Sequence, residues 1–227
     1  MKSIAIITAR GGSKRIPKKN IKDFLGKPII AYTIEAAIES KLFNSVMVST
    51  DSEEIAEISK KYGAEVPFLR SKKNSDDYST TDDVLLEVLE EYKKRGEEFD
   101  IMACLYPTAP FLSAEKIKSA WKILTEKNAG KVMSVVKFSF PPQRALLLRD
   151  ELVYQYPEFE KTRSQDLEPI YHDAGCLYIW STDFFYNTEK NLKVLPLILS
   201  DYEVQDIDTL SDWKIAEAKY SALNNSK

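Results

Sequence analysis

The sequence predicts an α/β fold with a mainly parallel sheet and helices packed on it. Short, continuously apolar segments alternate along the chain with longer segments whose apolar residues recur every three or four positions. The first pattern is typical of strands buried on both faces, and the second of amphipathic helices. Alternating units of this kind form parallel sheets with right-handed crossovers. With 227 residues, 44% of them hydrophobic, the chain is long enough for one domain with a sizeable core.

The predicted strands and helices follow one another in a regular order. Strands are expected at residues 4–7, 45–50, 100–106, 132–136 and 176–180, with an edge strand at 66–69 and a late strand at 202–207. Residues that favour a helix start predict helices beginning at Pro28, after Asp51, after Thr80 or Thr81, at Ser113 and after Thr209. Asp51 is followed three residues later by Glu54, which is the spacing of a capping box.

One stretch interrupts this order. Residues 138–172 contain Pro141, Pro142 and Pro157 and follow neither the strand period nor the helix period. The stretch is too short to bury a core of its own. The chain is therefore predicted to be a single domain, 1–227, that carries an inserted arm at 138–172.

A cationic loop follows the first predicted strand. Between Arg10 and Asn20 there is no acidic residue, and a formal charge of +5 comes from Arg10, Lys14, Arg15, Lys18 and Lys19. The whole chain carries −3, so everything outside the loop sums to −8. Cations concentrated on an acidic protein indicate a local anion site. Gly11 and Gly12 would let backbone N–H groups approach a phosphate. The loop therefore predicts a polyphosphate ligand at the carboxyl end of a strand, where open sheets bind ligands.

The residues alone leave another interpretation of this loop open. The sequence matches neither the G-x-x-x-x-G-K-[ST] phosphate loop nor the G-x-G-x-x-G dinucleotide loop. Basic runs are commonly solvated turns without a ligand.

Two carboxylates near the C-terminus offer a complementary group. Asp206 and Asp208 flank Ile207 at the end of the predicted late strand, so alternation would place both carboxylates on one side and Ile207 toward the core. Mg²⁺ binds a few carboxylates and leaves its other positions to water and substrate phosphates. The pair predicts a Mg²⁺ site for a nucleoside triphosphate. A polar strand end leading into a helix cap is the alternative.

Composition disfavours several other classes. An acidic chain without a basic, aromatic-interleaved stripe is not typical of nucleic-acid binding. No apolar run approaches the ~18 residues of a membrane span and no signal-peptide pattern is present, so we expect a cytoplasmic protein that does not bind membranes. Cys104 and Cys176 are expected to be buried thiols. A single histidine, His172, and the absence of G-x-S-x-G disfavour hydrolase chemistry.

The motifs together resemble one family. The matching segments are ARGGSKRIPKKN, VSTDSEEIAEISKKYGAEVPFLR, YPTAPFL, TRSQDLEPIYHDAG and VQDIDTLSDW. They are similar to the cytidylyltransferases that activate nonulosonic and related 3-deoxy sugar acids, and TRSQDLEP with YHDAG is most similar to the branch that uses pseudaminic acid. The resemblance covers nearly the whole chain. It implies a Rossmann-like three-layer nucleotidyltransferase fold, CTP and a nonulosonic acid as substrates, Mg²⁺ as cofactor, and a homodimer.

The resemblance also implies roles for individual residues. It assigns the nucleotide to Ala9, Arg10, Gly11, Gly12, Ser13, Lys14, Lys19, Asn20, Arg70 and Thr81. It assigns the metal to Asp206 and Asp208, which with Arg10, Lys14 and Lys19 are the implied catalytic residues. It assigns the sugar acid to Tyr106, Arg163, Gln165, His172 and Asp173.

Some of these roles have equally simple structural alternatives. Thr81 could be a helix cap, Arg163 an ordinary surface arginine, and His172 a structural histidine. The family usually has Gln where this chain has Tyr106, which favours an acceptor other than ordinary sialic acid. In the family an arm reaches over the neighbouring subunit's site, and the matching stretch is 138–172.

Three hypotheses follow from the sequence. The first is CMP transfer from CTP to a nonulosonic acid, and pseudaminic acid is the expected acceptor. The second keeps this chemistry but changes the acceptor to an N-acylneuraminic, legionaminic or 3-deoxy-manno-octulosonic acid. The third is a nucleotide-binding module without catalysis, which would have no need for the carboxylate pair.

Overall fold

The secondary structure is taken from a computed structural model that describes residues 1–76, 78–150, 152–155, 157–187 and 193–225. The strands are β1 (Ser3–Thr8), β2 (Asp23–Phe24), β3 (Lys27–Pro28), β4 (Ser45–Ser49), β5 (Ile101–Leu105), β6 (Lys131–Lys137), β7 (Leu146–Arg149), β8 (Leu152–Gln155), β9 (Tyr171–Ser181) and β10 (Val194–Leu199). The helices are α1 (Ile29–Ser40), α2 (Glu53–Lys61), α3 (Thr81–Lys94), α4 (Ala114–Glu126), α5 (Thr182–Tyr186) and α6 (Leu210–Asn225).

A six-stranded sheet forms the centre of the molecule, in the order β10-β6-β9-β5-β1-β4. β1 pairs in parallel with both β4 and β5, and β10 pairs in parallel with β6. β9 is antiparallel to both of its neighbours, β5 and β6. The predicted mainly parallel sheet is confirmed. Because the chain goes from β1 to β4 on one side and then returns to β5 on the other, the strand order reverses at β1, and a ligand crevice is expected at the carboxyl ends there.

Helices cover both faces of this sheet, which gives three layers. On one face the buried side chains of β1 are Ala5 and Ile7, which belong to the same apolar cluster as residues of α1, α2 and α4. On the other face Ile4 and Ile6 of β1 belong to a cluster with residues of α3 and α5. The alternation follows from the two-residue period of a strand. It explains why β1 reads as a continuous apolar run.

A third, smaller cluster ties the cationic loop to the C-terminal part of the chain. Ile16 from the loop and Ile207 are each 1% exposed, and they belong to one cluster with Phe24, Tyr32 and Trp213. The rings of Phe24 and Trp213 make an edge contact with centroids 5.6 Å apart. Burial of these apolar side chains fixes the loop against the segment that precedes α6.

The predicted late strand at 202–207 is wrong. Ser200 caps a short 3-10 helix at Asp201–Glu203, and residues 204–208 run without strand pairing. The sheet strand in this region is β10, which lies earlier in the sequence and pairs with β6. Asp206 and Asp208 therefore lie on a loop. Ile207 between them is nevertheless buried, because it fills the third cluster rather than a sheet face.

Two smaller predictions are also wrong. The helix expected to be capped by Asp51 is capped by Ser52, whose hydroxyl accepts from the amide of Ile55 at 3.4 Å. The edge strand expected at 66–69 does not form: these four residues have no strand pairing, and the preceding residue, Glu65, forms an isolated bridge with Met47. Proline at position 67 cannot donate a ladder hydrogen bond, which limits pairing at this edge.

The predicted arm contains a hairpin of β7 and β8, which pair in antiparallel fashion apart from the central sheet. Its last residues, from Tyr171, begin β9 and so belong to the central sheet, where the prediction started the strand only at residue 176. Parts of the arm, residues 151 and 156, lie outside the described residues.

Two further observations concern the whole described chain. Cys104 and Cys176 are free thiols, and Cys104 is fully buried as predicted. The prediction that Cys176 is also buried is wrong, because it is partly exposed. Among the residues that the structure describes, no helix has the length and apolarity needed to cross a membrane.

Candidate active site

A cavity of about 570 Å³ opens beside the carboxyl ends of β1 and β5, where the strand order reverses. Its walls come from three parts of the chain: the cationic loop, the segment before and at the start of α3, and the turn after β5. The lining residues are Thr8, Arg10, Ser13, Lys14, Arg15, Ile16, Lys19, Asn20, Arg70, Asn74, Asp76, Ser79, Thr80, Thr81, Val84, Tyr106, Pro107 and Thr108.

The cavity is cationic because four of the five loop cations line it, namely Arg10, Lys14, Arg15 and Lys19. The fifth, Lys18, pairs instead with Glu54 of α2 at 2.7 Å. The predicted nucleotide residues Ser13 and Asn20 also line the cavity. Asn20 is buried, and its amide donates to the carbonyl of Arg10 at 2.9 Å, which holds the two ends of the loop together.

The start of the loop is shaped by β4 and α2. The amide of Ala9 donates to the carbonyl of Ser49 at 2.9 Å, and the amide of Gly11 donates to Asp51 Oδ1 at 2.7 Å. A Cβ at position 11 would lie 3.1 Å from the Cβ of Ser52, whereas one at position 12 would meet nothing within 4 Å. A side chain at position 11 would therefore require the loop or Ser52 to shift by a few tenths of an ångström. The Gly11 amide is engaged by Asp51, and Ala9, Gly11 and Gly12 lie outside the lining of the cavity.

Arg70 is a buried cation at the floor of the cavity, only 8% exposed. Its Nε donates to the hydroxyl of Ser49 at 3.0 Å, and its Nη2 donates to the carbonyl of Ser49 at 2.6 Å. Burial lowers the pKa of Arg70, while the nearby carboxylates of Asp51 and Glu87 oppose that shift. A buried guanidinium fixed by the last residue of β4 is a preorganised donor for a ligand.

Glu87 of α3 anchors the wall that follows Arg70. Its carboxylate accepts from the amide and the hydroxyl of Ser71, both at 2.7 Å, and from the side-chain amide of Asn74. Arg10 reaches this wall from the other side and donates to the carbonyl of Asp76 at 3.0 Å. The predicted base-binding residue Thr81 is the first residue of α3, and the capping box there is formed by Thr80 and Asp83. The cap alternative for Thr81 is therefore wrong, and its hydroxyl lies 3.4 Å from that of Tyr106.

Asp208 contacts the cationic loop, as predicted from the sequence. Arg15 forms a bidentate ion pair with Asp208, with Nη1 2.9 Å from Oδ2 and Nη2 2.7 Å from Oδ1. Lys19 Nζ lies 3.6 Å from Asp208 Oδ1 and donates to the carbonyl of Ile207 at 2.7 Å. The predicted cations and the predicted carboxylate thus lie on the same side of the molecule, although the late strand expected to carry Asp208 does not form.

The donor set at this point fits Mg²⁺. Asp206 and Asp208 flank the buried Ile207, and Asp206 is exposed. Within the described ranges no group of three His, Cys, Asp or Glu side chains could enclose a metal ion. The carboxylate of Asp208 contacts cations that line the cavity, whereas no described contact places the Asp206 carboxylate beside them. Mg²⁺ can bind in this way, through one or two carboxylates and substrate phosphates rather than an all-protein cage.

The residues predicted for the sugar acid do not all reach the cavity of this chain. Tyr106 lines it. Arg163 lies in the arm and pairs with Asp166 at 3.0 Å. Gln165 is exposed on the short 3-10 helix Ser164–Asp166. Neither Arg163 nor Gln165 lines the cavity. His172 lies on β9 with its ring 4.6 Å from that of Phe138, and Asp173 follows it.

Several residues of the site were not predicted. Asp51 could have been predicted from the sequence, because it follows the carboxyl end of a strand adjacent to β1, where ligands bind. Arg15 could also have been predicted, because it belongs to the cationic loop. Glu87 and Ser49 act only through contacts with other residues, and no local pattern distinguishes them from an ordinary helix-surface glutamate and strand serine.

Comparison with known proteins shows the family of this chain. The family model described as cytidylyltransferase matches residues 4–208, a range that runs from β1 to the second carboxylate of the pair. The chain belongs to the cytidylyltransferase family. It is similar to a pseudaminic acid cytidylyltransferase of Campylobacter jejuni, with 41% identity over 100% of this chain and 99% of that protein. It is also 36% identical to a CMP-N,N'-diacetyllegionaminic acid synthase of Legionella pneumophila, over 99% of this chain and 98% of that one.

The fold is shared with a solved structure of CMP:2-keto-3-deoxy-manno-octonic acid synthetase in complex with CTP. The TM-score is 0.72 at 17% identity, and the match covers 98% of this chain and 99% of that one. At this identity the likeness concerns the fold. It confirms the predicted nucleotidyltransferase architecture for this cytidylyltransferase.

Proposed function

We propose that this cytidylyltransferase transfers CMP from CTP to the anomeric hydroxyl of pseudaminic acid and releases pyrophosphate. The observation that carries the proposal is the contact of Lys19, in the cationic cavity, with Asp208. That contact places positive charge for a triphosphate next to a carboxylate suited to its metal. The choice of acceptor rests on the 41% identity, over the whole chain, with a relative named for pseudaminic acid.

The reaction needs one new bond and one broken bond. The anomeric oxygen of the acceptor attacks the α-phosphorus of CTP in line, the bond from the α-phosphorus to the bridging oxygen breaks, and pyrophosphate leaves with its electron pair. The proton of the attacking hydroxyl passes to solvent, and no described side chain is assigned as a general base. In such a transfer the protein acts mainly by positioning the reactants and stabilising charge.

The cations of the loop would bind the triphosphate. Arg10, Lys14 and Lys19 line the cavity from one side, and their charge would balance that of the phosphates. Asp206 and Asp208 would hold Mg²⁺, which when bound neutralises phosphate charge and acidifies the attacking hydroxyl. Arg15 would have to give up part of its contact with Asp208 as the metal–nucleotide complex enters.

The cytosine base would lie at the end of the cavity formed by Arg70 and Thr81. Arg70 is already fixed by Ser49, so a carbonyl of the base would meet an oriented donor at little entropic cost. The hydroxyl of Thr81 faces Tyr106, which would separate the base from the acceptor.

The acceptor site would be completed by the arm of a second subunit. The arm exposes several apolar side chains, including Phe140 at 87% and Leu148 at 76%. Exposed apolar residues on an arm whose hairpin lies apart from the central sheet are expected to pack against a partner. Arg163, which does not line the cavity of its own chain, would then pair with the acceptor carboxylate in the neighbouring site.

The substrate is tested with a panel of acceptors. Pyrophosphate release is measured with CTP, Mg²⁺ and pseudaminic, legionaminic, N-acetylneuraminic or 3-deoxy-manno-octulosonic acid in turn. We expect kcat/KM to be highest for pseudaminic acid by at least about tenfold, the usual range for discrimination by one or two contacts. A higher value for legionaminic acid would reassign the acceptor. CTP binding by calorimetry without turnover of any acid would reject catalysis.

The arm is tested by mixing two inactive variants. Arg163→Ala and Asp208→Ala homodimers are combined, dissociated and reassociated. If Arg163 acts in the neighbouring site, half of the dimers are mixed and each has one intact site, so about a quarter of wild-type activity returns. No recovery, or a monomer by light scattering, would reject the shared site.

A further inference from the structure

β9 contains a bulge, and its residue Tyr178 contacts Tyr106 of the cavity lining. In the pairing of β9 with β6, Tyr178 is opposite Met133 and Asp173 is opposite Val135, so a step of two residues along β6 corresponds to a step of five along β9. The extra residues include Gly175, whose φ of 60° is the left-handed conformation that glycine adopts without strain. In a regular strand, residues five apart point to opposite faces and lie about 17 Å from each other. The bulge instead brings the side chains of Asp173 and Tyr178 into contact.

The contact uses both oxygens of the Asp173 carboxylate. The hydroxyl of Tyr178 donates to Oδ2 at 2.7 Å, and the amide of Gly175 donates to Oδ1 at 2.8 Å. Tyr178 itself is only 8% exposed. Burial, and then the hydrogen bond to Asp173, raise the pKa of Tyr178, so its hydroxyl remains a protonated donor. Each oxygen of the Asp173 carboxylate therefore already accepts a hydrogen bond from its own chain, although the residue is exposed.

Tyr178 packs in turn against Tyr106, which lines the cavity. The two rings are 5.6 Å apart between centroids and tilted by 53°. The backbone of Tyr106 is held on both sides, since its amide donates to the carbonyl of Cys176 and its carbonyl accepts from Thr33 Oγ1, each at 3.0 Å. Its hydroxyl lies 3.4 Å from that of Thr81. Tyr106 is thus fixed between the bulge and the start of α3.

We propose that Asp173 is a positioning residue, not a sugar ligand: through Tyr178 it fixes the ring of Tyr106, and this fixed ring determines which sugar acid the cavity accepts. The inference rests on the proposed function, since it concerns the acceptor of that reaction. A rigid aromatic wall distinguishes substituents that a mobile one would tolerate. The bulge connects Asp173 to Tyr178, and the regular pairing of β9 with β5 places Tyr178 next to Tyr106.

The test uses Tyr178→Phe, Asp173→Asn and the double variant. For Tyr178→Phe, KM for pseudaminic acid should rise, by up to about tenfold, because the energy of one lost hydrogen bond to a charged group limits what looser positioning of Tyr106 can cost, while KM for CTP changes less than about twofold. The ratio of kcat/KM between pseudaminic and legionaminic acid should fall. Adding Asp173→Asn to Tyr178→Phe should change KM by less than about twofold, because the hydrogen bond that Asp173→Asn would weaken is already absent.

Tyr92→Phe is the matched control. It also removes a buried tyrosine hydroxyl, the one that bonds Ser45 at 3.1 Å, but it lies outside the lining of the cavity. Acceptor KM should not change in this variant. The proposal is overturned if Tyr178→Phe leaves acceptor KM and the acid ratio as in wild type. It is also overturned if Asp173→Asn has its full effect in the Tyr178→Phe background, which would mean direct contact with the sugar.

Failure of the proposed function would be detected in the wild-type protein, independently of the variants. If wild type turns over no sugar acid, the bond is examined by the same double-variant cycle in melting temperature. Additive shifts of Asp173→Asn and Tyr178→Phe would then reject the Asp173–Tyr178 connection itself, whereas non-additive shifts would retain it.

Discussion

The ammonium of Lys19 lies 3.6 Å from the carboxylate of Asp208 and donates to the carbonyl of Ile207, which joins the first loop of the chain to the segment before its last helix. Buried Ile16 and Ile207 lie in the cluster that supports this contact. The polar groups are therefore held by apolar packing beneath them rather than by the ion pair alone. Their geometry should survive removal of either charge, and variants at these positions can be interpreted as changes in function.

Asp208→Ala should reduce kcat by several orders of magnitude with little effect on folding. Its pair with Arg15 is solvent-exposed, with side-chain exposures of 67% and 36%, so we expect a loss of at most about 1 kcal/mol in the free energy of unfolding. Steady-state kinetics and denaturant unfolding measure the two effects. Glu57→Ala, which breaks the exposed pair with Lys60, is the control for a surface ion pair and should keep full activity. A destabilised but active Asp208→Ala would contradict the metal role.

Lys19→Ala should raise KM for CTP by about 10- to 100-fold, the loss expected for one charge-assisted contact to phosphate. Lys18→Ala is the matched control, because Lys18 belongs to the same loop but pairs with Glu54 outside the cavity. It should leave KM for CTP within about twofold. Equal effects of the two substitutions would mean that the loop acts only through its total charge.

Gly11→Ala and Gly12→Ala should differ although the residues are neighbours. A methyl group at position 11 would be 3.1 Å from the Cβ of Ser52, so the loop or the start of α2 must shift, and the hydrogen bond from Gly11 to Asp51 should weaken. A methyl group at position 12 meets nothing within 4 Å. We expect raised KM for CTP only in Gly11→Ala. Similar kinetics for both would show that the contact with α2 does not set the shape of the loop.

Removal of divalent metal should abolish turnover and weaken CTP binding. With EDTA present, calorimetry should give a larger Kd for CTP in wild type, since two carboxylates beside the phosphates then repel them without compensation. Added Mg²⁺ should restore both turnover and affinity. In Asp206→Ala with Asp208→Ala the Kd for CTP should no longer depend on Mg²⁺. Unchanged Mg²⁺ dependence in that double variant would place the metal elsewhere.

Cys104 should resist alkylation in the native protein. Burial raises the pKa of its thiol to about 12, so at pH 8 almost no thiolate is present, and the side chain is 0% exposed. Iodoacetamide treatment followed by peptide mass spectrometry should show modification of Cys104 only after addition of denaturant. Rapid alkylation of the native protein would contradict its place in the core between β1 and β9.

Much of the fold could be predicted from sequence because strong local patterns specify it. The continuous apolar runs of β1, β4 and β5 and the helical period of α1, α3 and α4 can be recognised without knowledge of contacts between residues far apart in the chain. The cationic loop was also visible, since charge clustering needs no structure to be seen. The predictions that failed lie where tertiary contacts override local preference: position 51 faces Gly11 rather than capping α2, and residues 202–207 are held by packing of Ile207 instead of by strand pairing.

The sequence by itself determined the fold class, the positive loop and the presence of a carboxylate pair, because periodicity and charge are properties of neighbouring residues. Only the tertiary structure decided that Arg15 and Lys19 meet Asp208, that Ser49 and Glu87 fix Arg70 and the wall after it, and that a bulge in β9 turns Asp173 toward Tyr178. These relationships join residues far apart in the chain. Their geometry depends on how apolar side chains pack together, which no local pattern encodes.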